Sequence, residues 1–150
     1  MTDWQILPLS EDDVPRMHVI EVAAHSHPWS EVSLAGCFGK LYRCIGVYCA
    51  ETNQLQGFAI VQQIIDEVTL MDICVHPDAQ GCGLGKQLLN EVITQAQSNR
   101  AVKIMLEVRR SNTSAIGLYV SQGFEHTGIR NNYYPTATGQ EDALLLDYTF

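Results

Sequence analysis

The sequence predicts an α/β fold: a mixed, mostly antiparallel central sheet of about seven strands with helices on both faces. Three observations predict it. Strand-like segments follow one another between residues 42 and 75, and strand and helix patterns then alternate through residue 122. Residues 84–97 also carry apolar side chains at 84, 88, 89, 92, 93 and 96, the spacing of one helix face. A chain of 150 residues fits one domain, taken here as 1–150, and buries roughly 70% of its unfolded surface without staples.

The elements follow in order. Trp4–Leu7 reads as a short strand. Ser10 to Asp13 supply capping residues for a helix to about Ala24, and Pro15 is tolerated because it lies near the first turn. His25-Ser26-His27-Pro28-Trp29 breaks that helix, and Ser30 is the N-cap of a second one through Phe38. Tyr42–Ala50 and Gly57–Ile65 are rich in β-branched and aromatic residues, with a polar hairpin turn at Glu51-Thr52-Asn53-Gln54. Val68–Val75 is a further strand, ended by Pro77. Leu84–Gln97 is the amphipathic helix, and Val102–Val108 is a strand with Ile104, Leu106 and Val108 on one face. Asn112–Gln122 is a helix closed by Gly123, and Phe124–Tyr134 and Ala143–Tyr148 are the closing strands. The order is β-α-α-β-β-β-α-β-α-β-β. It makes Val68–Val75 and Val102–Val108 a parallel pair joined by a helix.

Composition excludes several function classes. No apolar run approaches the ~18–20 residues that span a membrane. Met1-Thr2-Asp3-Trp4 has no basic segment ahead of an apolar one, so no signal peptide is expected. Five cysteines (Cys37, Cys44, Cys49, Cys74 and Cys82) form no C-x-x-C pair and match no zinc spacing; they read as free thiols of a reducing cytoplasm. His25-x-His27 lacks a third ligand in its loop and reads as two polar loop residues, so no metal is expected. Residues 1–78 carry eleven acids and three bases, whereas residues 79–150 carry six of each. That balance argues against direct nucleic-acid binding, and the acidic half favours a cationic partner, although acidity also serves solubility.

One segment carries the chemistry. Gln80-Gly81-Cys82-Gly83-Leu84-Gly85-Lys86 joins a strand to a helix, where glycines expose backbone N–H groups and the helix N-terminus favours an anion. A nucleotide P-loop fails, because Gln80 stands where its first glycine belongs and Gln87 stands where its hydroxyl belongs. The dinucleotide fingerprint fails as well, with glycine at 85 rather than 86.

The spelling Gln80-x-x-Gly83-x-Gly85, after Val75-x-Pro77 and before an amphipathic helix, resembles the coenzyme A loop of the GNAT superfamily of acyltransferases. The strand and helix order matches that superfamily along the whole chain. Many members carry a basic residue at the position of Gly81 or Cys82. Here Lys86 is the nearby cation, so backbone amides would do most of the pyrophosphate binding.

Further segments resemble the bacterial ribosomal-protein-alanine N-acetyltransferases, the RimI family. They are His25-x-x-Pro28-Trp29-Ser30-Glu31, Leu106-Glu107-Val108-Arg109-x-Ser111-Asn112, Ala115-Ile116-x-Leu118-Tyr119, Gly123-Phe124, Arg130-x-x-Tyr133-Tyr134-Pro135 and Glu141-Asp142-Ala143. The resemblance implies acetyl transfer from acetyl-CoA to the N-terminal alanine of a small-subunit ribosomal protein; apart from the resemblance, no metal and a monomeric protein are expected. It implies Glu107 as general base and Tyr119 as proton donor. Ile73, Cys74 and Val75 would hold the acetyl and pantetheine groups. Gly81, Cys82, Gly83, Leu84, Gly85 and Lys86 would cradle the pyrophosphate, with Asn112 a further cofactor contact. Trp29 and Tyr134 are taken as walls for the substrate.

The chemistry is consistent with one carboxylate. At pH 7, deprotonating an α-amine costs about 1.4 kcal/mol, against about 4.6 kcal/mol for a lysine, so a modest base is enough. Glu107 lies on the strand face opposite Ile104, Leu106 and Val108, and Asn112 and Tyr119, seven apart, share a helix face. Two other readings stay open on the sequence: a small-molecule or other protein amine as acceptor, and a non-catalytic acyl-CoA-binding module.

Overall fold

The computed structural model describes residues 3–150. Met1 and Thr2, the start of the Met1-Thr2-Asp3-Trp4 segment in which no signal peptide is expected, lie outside them. Among the described residues seven strands form one sheet: β1 (Trp4–Pro8), β2 (Tyr42–Cys49), β3 (Gln54–Ile64), β4 (Glu67–Val75), β5 (Lys103–Arg109), β6 (Glu125–Pro135) and β7 (Gln140–Thr149). Four α-helices, α1 (Val14–Ala24), α2 (Glu31–Ala35), α3 (Leu84–Ser98) and α4 (Thr113–Ser121), and two single 3-10 turns at Glu11–Asp13 and Pro77–Ala79 accompany it. The sheet order is β1-β2-β3-β4-β5-β7-β6. The expected β4–β5 pair is parallel, and the other neighbours are antiparallel. No helix among the described residues is long and apolar enough to cross a membrane.

Two cores separate the faces. Along β3, Ala59 and Val61 join Leu84, Leu88, Leu89 and Val92 of α3, while Phe58 and Ile60 join Met17 and Ile20 of α1 and Leu34 of α2. Neighbouring residues of one strand thus feed opposite cores, as the pleat requires. α2 is shorter than expected: it ends at Ala35, and the Gly36 N–H closes the last turn onto Leu34 and Val32. The turn after β2 puts Asn53 at φ 55, a left-handed conformation that asparagine tolerates.

The feature that positions the site is a bulge in β4. Ile60 pairs with Asp72 and Val61 with Leu70, which leaves Met71 as an extra residue. Before it, Val68 and Leu70 face the α3 core; after it, Ile73 and Val75 do. The alternation has shifted by one, so Cys74 and its strand-face neighbour Asp72 face α1. The β4–β5 ladder covers only Glu67–Thr69 against Lys103–Met105. Beyond it β4 stays with β3 and β5 stays with β7, and the sheet opens into a wedge.

Candidate active site

The wedge is a cleft of about 970 Å³. One wall is Leu70 to Val75 of β4 and the other is Leu106 to Arg109 of β5. The glycine loop and α4 close one end, and the loop after α1, including Trp29, closes the other. Along its open edge β4 has no sheet partner on the β5 side, which leaves strand amides available to a ligand.

The glycine loop is built for close approach. Gly81 and Gly83 hold φ values of 83 and 77, and an added Cβ at either would meet nothing within 4 Å. Within the protein their glycine requirement is therefore set by conformation, and the space beside them is open. Gly83 caps α3 without a side-chain hydrogen bond, and the first helical bond runs from the Gln87 N–H to the Gly83 carbonyl. The N–H groups of Leu84, Gly85 and Lys86 are thus left for an anion. The Gln80 amide ties the loop to β4 by donating to the Val75 carbonyl at 3.0 Å.

Glu107 and Tyr119 both line the cleft. Glu107 projects from β5 on the face opposite Ile104, Leu106 and Val108, and its Oε1 forms an ion pair with Arg130, 3.0 Å from Nε. Tyr119 is buried, its ring 5.7 Å from that of Phe124. Burial, and then the charge of Asp72, push its phenol well above the ordinary value, so it stays protonated at neutral pH. Asn112 caps α4 by accepting from the Ala115 N–H. Tyr134 packs edge-on against Tyr133 and lies 4.5 Å beneath the Arg109 guanidinium; its phenol is pushed up to about 12, mainly by burial and then by Glu107.

Of the residues singled out in the sequence, Ile73, Cys74, Val75, Gly81, Gly83, Leu84, Gly85, Lys86, Asn112, Trp29 and Tyr134 join Glu107 and Tyr119 in lining the cleft. Cys82 is exposed and stands outside the lining.

Other residues at the site were not anticipated. Arg109, unassigned in the sequence, donates to the Pro135 carbonyl at 2.7 Å and pairs with Glu141 at 3.2 Å. Glu141 also accepts from the Ser111 N–H and hydroxyl, which fastens the turn before α4 to β7. Glu21 is 1% exposed on the apolar face of α1. It accepts from the Trp29 N–H at 3.3 Å, so a buried carboxyl holds the Trp29 loop. Burial and then the neighbouring Asp72 carboxylate hold the Glu21 carboxyl well above the usual range. One signal was present: a single acid on the apolar stripe Met17, Ile20, Glu21, Ala24, and another inside the apolar run around Asp72.

Comparison with known proteins gives the family and the fold. The model of the acetyltransferase (GNAT) family matches residues 10–124. The chain is 44% identical over 138 residues to the [ribosomal protein bS18]-alanine N-acetyltransferase of Salmonella typhimurium, covering 92% of each chain. It is 41% identical over 141 residues to the enzyme of that name from Escherichia coli strain K12, covering 94% of each. The crystal structure of the ribosomal-protein-S18-alanine N-acetyltransferase from Escherichia coli superposes with a TM-score of 0.94 at 39% identity, covering 98% of this chain and 94% of that one.

Proposed function

The chain belongs to the GNAT family and is an N-acetyltransferase, and from that premise we propose that it acetylates the α-amine of the N-terminal alanine of ribosomal protein bS18, with acetyl-CoA as co-substrate. One observation carries the reading. A carboxylate on β5 and a buried phenol on α4 converge on a cleft that opens where β4 and β5 part, beside a loop with three free helix N–H groups.

In this reading the amides of Leu84, Gly85 and Lys86 hold the pyrophosphate, with Gly81 and Gly83 allowing close approach and Asn112 adding a contact. The pantetheine and acetyl groups lie along Ile73, Cys74 and Val75, whose strand amides polarise the thioester carbonyl. Glu107, directly or through water, takes the proton of the α-ammonium, and the neutral amine attacks the carbonyl. Arg130 orients the Glu107 carboxylate from outside the cleft. As the tetrahedral intermediate collapses the C–S bond breaks, Tyr119 gives its proton to the departing thiolate, and the excess proton still on the attacking nitrogen is released and restores the phenol. Trp29 and Tyr134 flank the peptide, and the acidic half of the chain favours an Arg-rich tail. The protein works as a cytoplasmic monomer, without direct nucleic-acid contact.

The test is acetylation of peptides beginning with Ala and rich in Arg, with the acetyl group located by mass spectrometry. The reading expects acetate on the α-amine. Acetate found only on lysine side chains, or a strong preference for polyamines or aminoglycosides, overturns it.

A further inference from the structure

One group of side chains in the cleft takes part in no step of the transfer. We propose that Glu21, His25, Asp72 and Cys74 form a binding site for one divalent transition-metal ion of the zinc class.

The donor set points to that class. Two carboxylates, an imidazole and a thiol are the mixture that suits Zn2+, whereas Ca2+ and Mg2+ take oxygen ligands. The donor atoms of all four lie within 4.8 Å of one another. A tetrahedral site with the bond lengths zinc prefers sets neighbouring donors roughly 3.3–3.8 Å apart. Here His25 Nε2 is 3.4 Å from Asp72 Oδ1 and 3.9 Å from Glu21 Oε2, and Cys74 Sγ is 3.9 Å from Glu21 Oε1. The His25–Asp72 edge already fits; the two Glu21 edges end on different oxygens of its carboxylate, and with all donors within 4.8 Å of one another, side-chain shifts of up to about an ångström would close the set around one ion.

A second observation is independent of the spacing. The Asp72 side chain is 7% exposed, and its Oδ2 is buried without a hydrogen-bond partner, as is His25 Nε2. Buried polar atoms are seldom left unpaired, and of the four such side-chain atoms among the described residues two belong to this cluster, the others being on Arg43. The fold assembles the group deliberately. Glu21 and His25 are four apart at the end of α1, and the Met71 bulge turns Asp72 and Cys74 toward them. His27, the other histidine of the loop, is not in the group.

The site lies in the same cleft as Trp29 and Tyr119. If that end admits the peptide, as the function proposed above has it, a bound ion blocks the peptide rather than acetyl-CoA.

The metal alone tests the site. Zn2+ is titrated into the purified full-length chain against a chromogenic zinc indicator, and Co2+ is then used as a spectroscopic probe. One equivalent should bind, and Co2+ should produce a thiolate-to-cobalt absorption band. Cys74→Ser should abolish the band, and Asp72→Asn and His25→Gln should each weaken Zn2+ binding by about tenfold or more. Cys82→Ser, at an exposed thiol outside the cluster, should change neither readout. Circular dichroism checks that each variant is folded, and the part-exposed His25 provides a variant least tied to the core. Saturable binding that none of the three variants weakens, a Co2+ complex without the thiolate band, or no stoichiometric binding overturns the site. In the acetylation assay, Zn2+ should compete with peptide and not with acetyl-CoA. Binding without such competition would leave the metal site standing and remove the peptide from that end of the cleft.

Discussion

Arg130 reaches across β7 to Glu107, with 3.0 Å between Nε and Oε1. The two residues sit on strands that are not neighbours. Arg130 pairs with Ala143, whereas Glu107 pairs with Leu145 two residues along β7, so the contact crosses β7 diagonally, beside the small Ala143. Glu107→Gln keeps the shape and removes the base, so kcat should fall by roughly 10²–10⁴ while the KM for acetyl-CoA holds. Arg130→Gln should cost less, about tenfold, and Arg130→Lys should recover much of it. Steady-state rates at varied acetyl-CoA decide: Glu107→Gln within about threefold of the wild type would exclude Glu107 as base.

Tyr119 makes a second, separable prediction. Tyr119→Phe keeps the ring against Phe124, so the melting temperature should stay within about 3 °C while kcat falls about tenfold or more. A pH effect follows from burial, which raises the phenol above its unfolded value near 10. Above pH 10 the unfolded chain has released this proton and the folded chain still holds it, so stability falls as pH rises. Tyr48 and Tyr134, each pushed up to about 12, contribute in the same sense. Melting curves from pH 9 to 11 should therefore show the wild type losing more stability than Tyr119→Phe.

Much of this arrangement was legible because it rests on short-range pattern. The spacing Gln80-x-x-Gly83-x-Gly85 sets the loop, and the alternation Ile104, Leu106, Val108 fixes which face Glu107 takes. The Met71 bulge was not legible, since Leu70-Met71-Asp72-Ile73 reads as a continuous strand and the slip is set by hydrogen bonding to β3. With it went the meeting of Glu21, Asp72 and Cys74. The Arg130–Glu107 pair was hidden for a similar reason: cross-sheet partners depend on strand order, which local periodicity does not carry.

The two glycines of the loop should respond differently to alanine. At Gly83 the left-handed φ makes Gly83→Ala strained by about 1–2 kcal/mol, with a lower melting temperature. At Gly85 the backbone is helical and an added Cβ meets Leu118 Cδ2 at 3.5 Å, an ordinary contact, so Gly85→Ala should fold as well as the wild type. Both variants narrow the approach to the α3 N-terminus, and both should raise the KM for acetyl-CoA several-fold with the peptide KM little changed. An unaltered acetyl-CoA KM in Gly85→Ala would move the pyrophosphate away from this helix end.

Glu141 ties the peptide wall to the cofactor end. Its carboxylate takes the Ser111 N–H and hydroxyl at 3.1 and 3.0 Å and Arg109 at 3.2 Å, and Arg109 in turn covers the Tyr134 ring. The Ser111 hydrogen bonds and then Arg109 hold the carboxyl below its ordinary value. Its contribution to stability is therefore present above the unfolded value near 4.5 and is lost as pH falls through the folded value. Glu141→Gln should melt below the wild type at pH 7, with the gap closing as the pH is taken down toward 3. With Arg109 less firmly held over Tyr134, the peptide KM should rise several-fold while kcat changes less. Glu141→Ala, which also leaves the Ser111 N–H without its acceptor, should show both effects more strongly. A folded Glu141→Ala variant with an unchanged peptide KM would separate Arg109 and Tyr134 from substrate recognition.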